Sequence, residues 1–274
     1  MSVVATLKQE LATPLEVEAL SPDVIVGLTH AEILALPVFL GNRQLRLGDF
    51  FEVKGEKSAS LELHGDLAQV KWIGRGMTLG SIAVHGNAGM HLGASMSGGT
   101  ITVDGNAADW LGAEMSGGLI RVYGRAGGQV GAAYRGSTVG MRGGEILIDG
   151  DAGIEIGMRM LRGLISVGGR AGDFVGMQMK GGTIFLLGRA GIRAGAWMAR
   201  GTIIAYEPLK LLPTFLYACT YEPTFLRVYT AHLERRGVQA PGHGWGGLHR
   251  RFTGDTCWLG KGEILICEPA TAQT

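Results

Sequence analysis

Arg125, Arg170 and Arg189 share one short context, Gly-Arg-Ala-Gly, and are the residues whose type and spacing point most directly to ligand chemistry. Guanidinium groups in a row attract carboxylates or phosphates. Residues 121–200 hold eleven Lys or Arg against five Asp or Glu in a chain of net charge +1, so the basic excess is local. The three arginines are candidates for contact with a polyanion or a partner. A solvated face or an acidic partner surface is the plainer use of such a column. Nucleic acid is not expected, because no aromatic side chains interleave it. A dinucleotide loop is not expected either: that fingerprint requires a helix next, and here more Gly-rich chain follows.

Other chemistry is sparse. The histidines are His30, His64, His85, His91, His232, His243 and His249, and none has zinc-ligand spacing. His85 and His91 are close enough in sequence for a metal pair, but solvated surface is the simpler expectation. His243, Trp245 and His249 fall together in one loop, for which a packing or interface role is expected. Cys219, Cys257 and Cys267 form no CxxC and are expected to be reduced thiols of a cytoplasmic protein. There is no Gly-x-Ser-x-Gly elbow, and the acids are too scattered for a sugar-cleaving site. The sequence thus leads to no catalytic residue, no metal ligand and no cofactor site.

The elements that position these residues are repeats. Glycine accounts for 47 of 274 residues while proline stays at 8, which disfavours collagen and Pro/Gly-rich disorder. A strand-like unit, Thr100 to Ala107, recurs at Ser81, Leu119, Glu145, Leu164 and Thr183, with a looser first copy at Leu61 to Gly65. The glycine after each strand steps by 19, 19, 26, 19 and 19 residues, so one turn carries a seven-residue insertion within Gly131 to Gly140. A methionine column (Met96, Met115, Met141, Met160, Met179, Met198) and two glycine columns keep the same register. The Ile-x-Val cores alternate as strands do. The glycines in each link exclude a crossover helix, since each costs about 1 kcal/mol. Strand must therefore stack on strand, in an all-β parallel β-helix of eight rungs. Its interior is lined by the Ile/Val pairs and the methionines.

Residues 1–57 are expected to cap this coil, 58–206 to form it and 207–274 to extend it with a helix and a hairpin. Thr29 to Glu32 fits a capping box, and Leu45 to Val53 reads as a strand entering the coil. Glu222-Pro223 opens a helix whose apolar face is Phe225, Val228, Tyr229, His232 and Leu233, ended by Gly237. The outward strand position runs Ala83, Thr102, Arg121, Leu147, Ser166, Phe185, Ile204. Its later members are apolar, so the C-terminal segment or a partner should cover them. No apolar run approaches the ~20 residues that span a bilayer.

Gly-[Asn/Arg/Asp]-Ala-Gly, the methionine column and Gly-Gly at 19-residue spacing resemble the GXGXG domain. That domain is shared by the C-terminal part of the glutamate synthase large subunit and by the C subunit of formylmethanofuran dehydrogenase. Ser21-Pro22-Asp23, Leu45 to Val53 and Leu212 to Phe215 look like the latter, and Ala218 to Trp258 is similar to its bacterial version. This resemblance implies a right-handed parallel β-helix, and a non-catalytic docking subunit of a formyltransferase/hydrolase complex in tetrahydromethanopterin-linked one-carbon metabolism. It implies an amidohydrolase-like subunit, a molybdopterin-subunit homologue and a formyltransferase subunit as partners. It implies no cofactor in this chain and a methanofuran-type carrier, with an anionic tail, handled by the complex. The rival reading is a glutamate-synthase-like amidotransferase domain; an independent β-helix enzyme is a more distant one.

Overall fold

The first Ile-x-Val units alternate in burial: Ile101 and Val103 are fully buried while Thr102, partly exposed, faces the other way. From Arg121 to Ile204 the outward residues are buried as well. The computed structural model describes residues 2–242 and 244–268. The N-terminal part contains β1 (Val3–Leu7), β2 (Leu15–Glu16), α1 (Pro22–Ile25), α2 (His30–Leu34), β3 (Pro37–Leu40), β4 (Arg43–Arg46), α3 (Leu47–Phe50) and β5 (Phe51–Lys54). The repeats contain β6 (Ser60–His64), β7 (Val70–Lys71), β8 (Ser81–His85), β9 (Thr100–Val103), β10 (Leu119–Val122), β11 (Arg142–Ile148), β12 (Arg162–Val167), β13 (Lys180–Leu186) and β14 (Arg200–Ala205). Then follow β15 (Leu216–Tyr221), α4 (Leu226–Arg235), β16 (His249–Gly254) and β17 (Gly262–Cys267).

The protein is thus all-β with a few short helices. Thirteen strands form one sheet in the order β15-β16-β17-β14-β13-β12-β11-β10-β9-β8-β6-β1-β5, and a four-stranded sheet runs β4-β3-β2-β7. Each repeat pairs in parallel with the next at the spacing read from the sequence, Ile82 with Ile101, Ile101 with Ile120 and Ile120 with Ile146. The ladder outruns the repeats at both ends. Strand β1 pairs in parallel with β6, and β17 pairs in parallel with β14, so each flank donates one further rung. A second ladder of parallel bridges links Leu67, Ala88, Ala107, Ala126, Ala152, Ala171 and Ala190. Between the two ladders lie the strand Ile/Val pairs, a column through Leu92, Leu111, Val130, Ile156 and Val175, and the six methionines, all buried.

Two glycines show why this spacing demands them. Gly112 sits at φ +59°, with its α-hydrogen aimed at Ile146 Cδ1, 2.6 Å from where a Cβ would stand. A Cβ on Gly117 would lie 2.2 Å from the Ser97 carbonyl oxygen of the previous rung. Rungs about 4.8 Å apart leave no room for a methyl there.

Two expectations need correction. Leu45 to Val53 is not one strand: the helical turn α3 interrupts it, and Asp49 Oδ2 accepts a hydrogen bond from the Arg46 N–H at 3.0 Å to start that turn. Helix α4 begins at Leu226 and buries Leu226, Thr230 and Leu233, whereas Phe225 and Val228 are exposed. Its buried residues repeat at i, i+4 and i+7, which is a single helical stripe. That stripe covers the apolar outward column, packing Leu226 and Leu233 with Leu147, Phe185, Ile204 and Leu265. Arg121, from the same column, reaches the end of α4 through the carbonyls of Arg236 and Gly237, both at 3.3 Å. Glu145 accepts from Arg236 Nε at 3.1 Å and lies 2.8 Å from His232 Nε2. Among the described residues, no helix is long and apolar enough to cross a membrane.

Candidate docking surfaces

The alanine ladder sets the geometry of the arginine column. The residue before each alanine falls in one line: Asn87, Asn106, Arg125, Asp151, Arg170, Arg189. Arg125, Arg170 and Arg189 are all exposed, on one edge, but the row is interrupted. Asp151 stands between the first two, with Oδ2 3.7 Å from Arg125 Nε and Oδ1 accepting from the Arg170 N–H at 2.8 Å. Asn87 Oδ1 and Asn106 Oδ1 serve the next rung in the same way, each accepting a backbone N–H at 2.9 Å. The edge is therefore a polar ladder that ends in two adjacent cations, Arg170 and Arg189.

The turn a few residues after each ladder alanine carries features that residue types alone do not disclose. Trp72, His91, Trp110, Gln129, Glu155, Phe174 and Arg193 occupy one column, and every one has φ between 56° and 66°. Left-handed backbone is unusual for such side chains. Ladder hydrogen bonds between repeats hold it here: the Trp72, His91 and Trp110 N–H groups donate to Met90, Asp109 and Gly128 carbonyls at 2.9–3.1 Å. The first three side chains stack. Trp72 and His91 are 4.0 Å apart and 8° from parallel, and Trp110 follows at 6.4 Å. Arg75 lies over Trp72 at 4.9 Å.

The seven-residue insertion folds back onto this stack. Its Tyr134 ring lies 4.9 Å from Trp110 and its hydroxyl 2.9 Å from His91 Nδ1. Burial, helped by Lys71, lowers the His91 pKa to about 4, and burial raises that of Tyr134. A phenol that keeps its proton can donate to a neutral imidazole. Arg159 Nη1 donates to the Ser137 carbonyl at 2.5 Å and Lys180 Nζ to that of Thr138 at 2.6 Å, which pins the rest of the insertion. Beyond it lies a groove of about 680 Å³ bordered by Arg159, Gln178, Lys180, Trp197 and Trp258. Trp197 is 49% and Trp258 62% exposed. Exposed tryptophans beside cations are what protein interfaces tend to bury.

The histidines disperse. His85 and His91 belong to different columns and do not converge: His85 Nδ1 is 2.8 Å from Asp104 Oδ2, whereas His91 lies in the aromatic stack. His232 holds α4 to Glu145. His249 is buried, with Nδ1 3.0 Å from the Gly247 carbonyl, and Trp245 packs edge-on against Tyr206. That loop packs rather than opens; His243 lies outside the described residues. The aromatic corner column was discoverable from the same 19-residue register as the methionines, since Trp72, His91 and Trp110 recur at that step.

A family model described as the GXGXG motif matches residues 54–216. The C subunit of the tungsten-containing formylmethanofuran dehydrogenase 2 of Methanothermobacter thermautotrophicus is 39% identical over 97 residues, 34% of this chain and 36% of that protein. The C subunit of the molybdenum-containing formylmethanofuran dehydrogenase 1 of Methanosarcina barkeri is 41% identical over 95 residues, 33% of this chain and 32% of that protein. The chain thus spans about a third of the length of the curated relatives it matches (36% and 32%). Among solved structures, a chain of the formyltransferase/hydrolase complex (FhcABCD) from Methylorubrum extorquens, in complex with methylofuran, is similar with a TM-score of 0.89 and 34% identity. That match covers 97% of this chain and 99% of the other.

Proposed function

The chain belongs to the GXGXG family, and from that premise we propose that it serves as the structural and docking C subunit of a formyltransferase/hydrolase complex. The complex moves a formyl group to a methanofuran-type carrier and releases formate. In this reading the repeats wind as a right-handed parallel β-helix, the hand that parallel crossovers overwhelmingly adopt. Residues 1–57 cap it, 58–206 form it and 207–274 extend it. The observation that carries the reading is the extent of the likeness to a chain of the Methylorubrum complex. It runs through both flanks as well as the repeats. A glutamate-synthase-like domain would be expected to share the repeats alone.

The partners would be an amidohydrolase-like subunit, a molybdopterin-subunit homologue and a formyltransferase subunit, in the cytoplasm. Free Cys219, Cys257 and Cys267 fit a reducing compartment. The Trp197/Trp258 groove would meet one of these partners. Arg170 and Arg189, with Arg125 behind Asp151, would meet the anionic tail of the carrier.

Affinity purification of the tagged chain from its source tests the assignment. Formyltransferase and amidohydrolase-like subunits in stoichiometric amounts are expected; a flavin iron–sulfur protein instead would overturn it. Neutralising Arg125, Arg170 and Arg189 together tests the carrier contact. Unchanged carrier affinity and unchanged assembly would remove that part of the reading.

A further inference from the structure

At the N-terminal end of the rod the repeat register brings two imidazoles and two carboxylates onto one exposed edge. Thr6, His64 and His85 are register partners on β1, β6 and β8. The His64 and His85 rings stack with centroids 4.5 Å apart and planes 28° apart. Glu62 lies two residues before His64 on the same face of β6, and its Oε2 is 3.9 Å from His64 Nε2. One donor atom from each of Glu62, His64 and His85 can be chosen so that all lie within 4.8 Å of one another. Asp104, on the next rung, places Oδ2 2.8 Å from His85 Nδ1.

We propose that Glu62, His64 and His85 form a binding site for a single divalent transition-metal ion, zinc by preference, with Asp104 orienting His85. Two imidazoles and one carboxylate are the donor set that zinc takes in three-ligand sites, with water completing the tetrahedron. The same set disfavours calcium and magnesium, which want oxygen. Donor atoms around a tetrahedral zinc at ~2.1 Å stand roughly 3.4 Å apart, so binding requires the donors to draw together and the two stacked rings to turn their lone pairs toward one point by side-chain rotation. Two further contacts set the donors for that closure. Asp104 on Nδ1 leaves His85 Nε2 as the ligand atom, the carboxylate–histidine arrangement that tunes metal-bound imidazoles. The Ser2 hydroxyl donates to Glu62 Oε1 at 2.6 Å, which leaves Oε2 directed at His64. All ligands sit on paired strands, so the backbone is fixed before the ion arrives. Bound metal would tie β6 to β8, where the capping segment joins the first repeats.

The full-length chain, stripped with chelator, is titrated with Co²⁺ followed by absorption and with Zn²⁺ by calorimetry at neutral pH. One equivalent is expected, with tetrahedral Co²⁺ bands displaced by Zn²⁺. His64→Ala and His85→Ala should each abolish that equivalent, and Asp104→Asn should weaken it by about 10–100-fold. His30→Ala should leave it unchanged. No stoichiometric binding by the wild-type chain, or the same binding by the His64→Ala/His85→Ala double variant, would overturn the site. Should those variants fail to fold, histidine ring resonances of the wild-type chain are followed during Zn²⁺ titration. Shifts confined to His64 and His85 uphold the proposal, and shifts elsewhere instead of there overturn it.

Discussion

The Tyr134 hydroxyl lies 2.9 Å from His91 Nδ1, joining the tip of the insertion to a repeat 43 residues earlier. Burial keeps this imidazole neutral, with its pKa lowered to about 4 from the ordinary 6.5. Between those values the unfolded chain binds a proton that the folded chain refuses, so stability falls as pH drops through that window. The ring is half-buried, and solvent screening leaves a loss of about 1–2 kcal/mol. His91→Asn keeps a residue tolerant of left-handed backbone but cannot titrate. Denaturant unfolding at pH 7 and pH 4.5 should show a drop in the wild type that is largely missing in the variant. Equal drops in both would dissociate His91 from the acid sensitivity.

The two kinds of glycine can be separated by substitution. Gly136 has φ +88° and, among the described residues, nothing within 4 Å of where its Cβ would stand, so Gly136→Ala should cost only the left-handed penalty, about 1 kcal/mol. A Cβ on Gly117 would meet the Ser97 carbonyl oxygen at 2.2 Å, and backbone two rungs deep in a ladder cannot step aside. Gly117→Ala should cost about 3 kcal/mol or more. Urea midpoints of the two variants check the order, and a Gly117→Ala protein as stable as Gly136→Ala would show that the rungs can spread.

Much of this fold can be read from the chain because every turn repeats the same geometric problem. Met96 through Met198 recur where the interior needs an adaptable filler, and all are buried. What escapes residue-type reasoning is anything supplied by the neighbouring rung. Trp72, His91 and Trp110 adopt φ near 65° because ladder hydrogen bonds impose it, although no local preference asks for it. Arg125, Arg170 and Arg189 look like an unbroken basic row when only their shared context is compared. The intervening rung carries Asp151, and the row becomes a pair plus a neutralised outlier. Helix α4 misleads for a different reason. Phe225 and Val228 complete an apolar face by composition, yet the Leu226–Thr230–Leu233 stripe is what the helix buries, with Tyr229 packed beside it and Phe225 and Val228 left exposed.

Arg121 is buried, and its Nη2 lies 2.5 Å from Asp149 Oδ1 while the same guanidinium holds the Arg236 and Gly237 carbonyls just past α4. Removing the carboxylate leaves a desolvated cation, whereas removing the cation leaves Asp149, whose side chain is 37% exposed, to be solvated. Asp149→Asn should therefore cost more than Arg121→Met, about 2–3 kcal/mol against about 1 kcal/mol. Arg121→Met should still raise hydrogen exchange at the C-terminal turn of α4, because the two carbonyls just past it lose a donor. Denaturation of the two variants gives the order, and the reverse order would contradict this account of the pair.

Asp255 anchors the loop that carries Trp258 to the last repeat. Its buried carboxylate accepts from the Trp197 N–H at 3.0 Å and from the Cys257 N–H at 2.9 Å. Burial alone would raise its pKa, but the hydrogen bonds outweigh burial and hold it below the ordinary carboxylate value. A lowered folded pKa gives stability that is fully present above the unfolded value, about 3.9. That stability is lost as pH falls through the folded value. In Asp255→Asn an amide NH₂ replaces one acceptor and confronts a backbone N–H, at a cost of about 1–3 kcal/mol at pH 7. The gap between wild type and variant should narrow below pH 4, as the wild-type carboxylate takes up its proton. Trp197 and Trp258 flank this loop, so tryptophan fluorescence should report the loosening at denaturant concentrations below the main transition. A gap that stayed constant down to pH 2.5 would mean that the loop is held by shape rather than by the carboxylate charge.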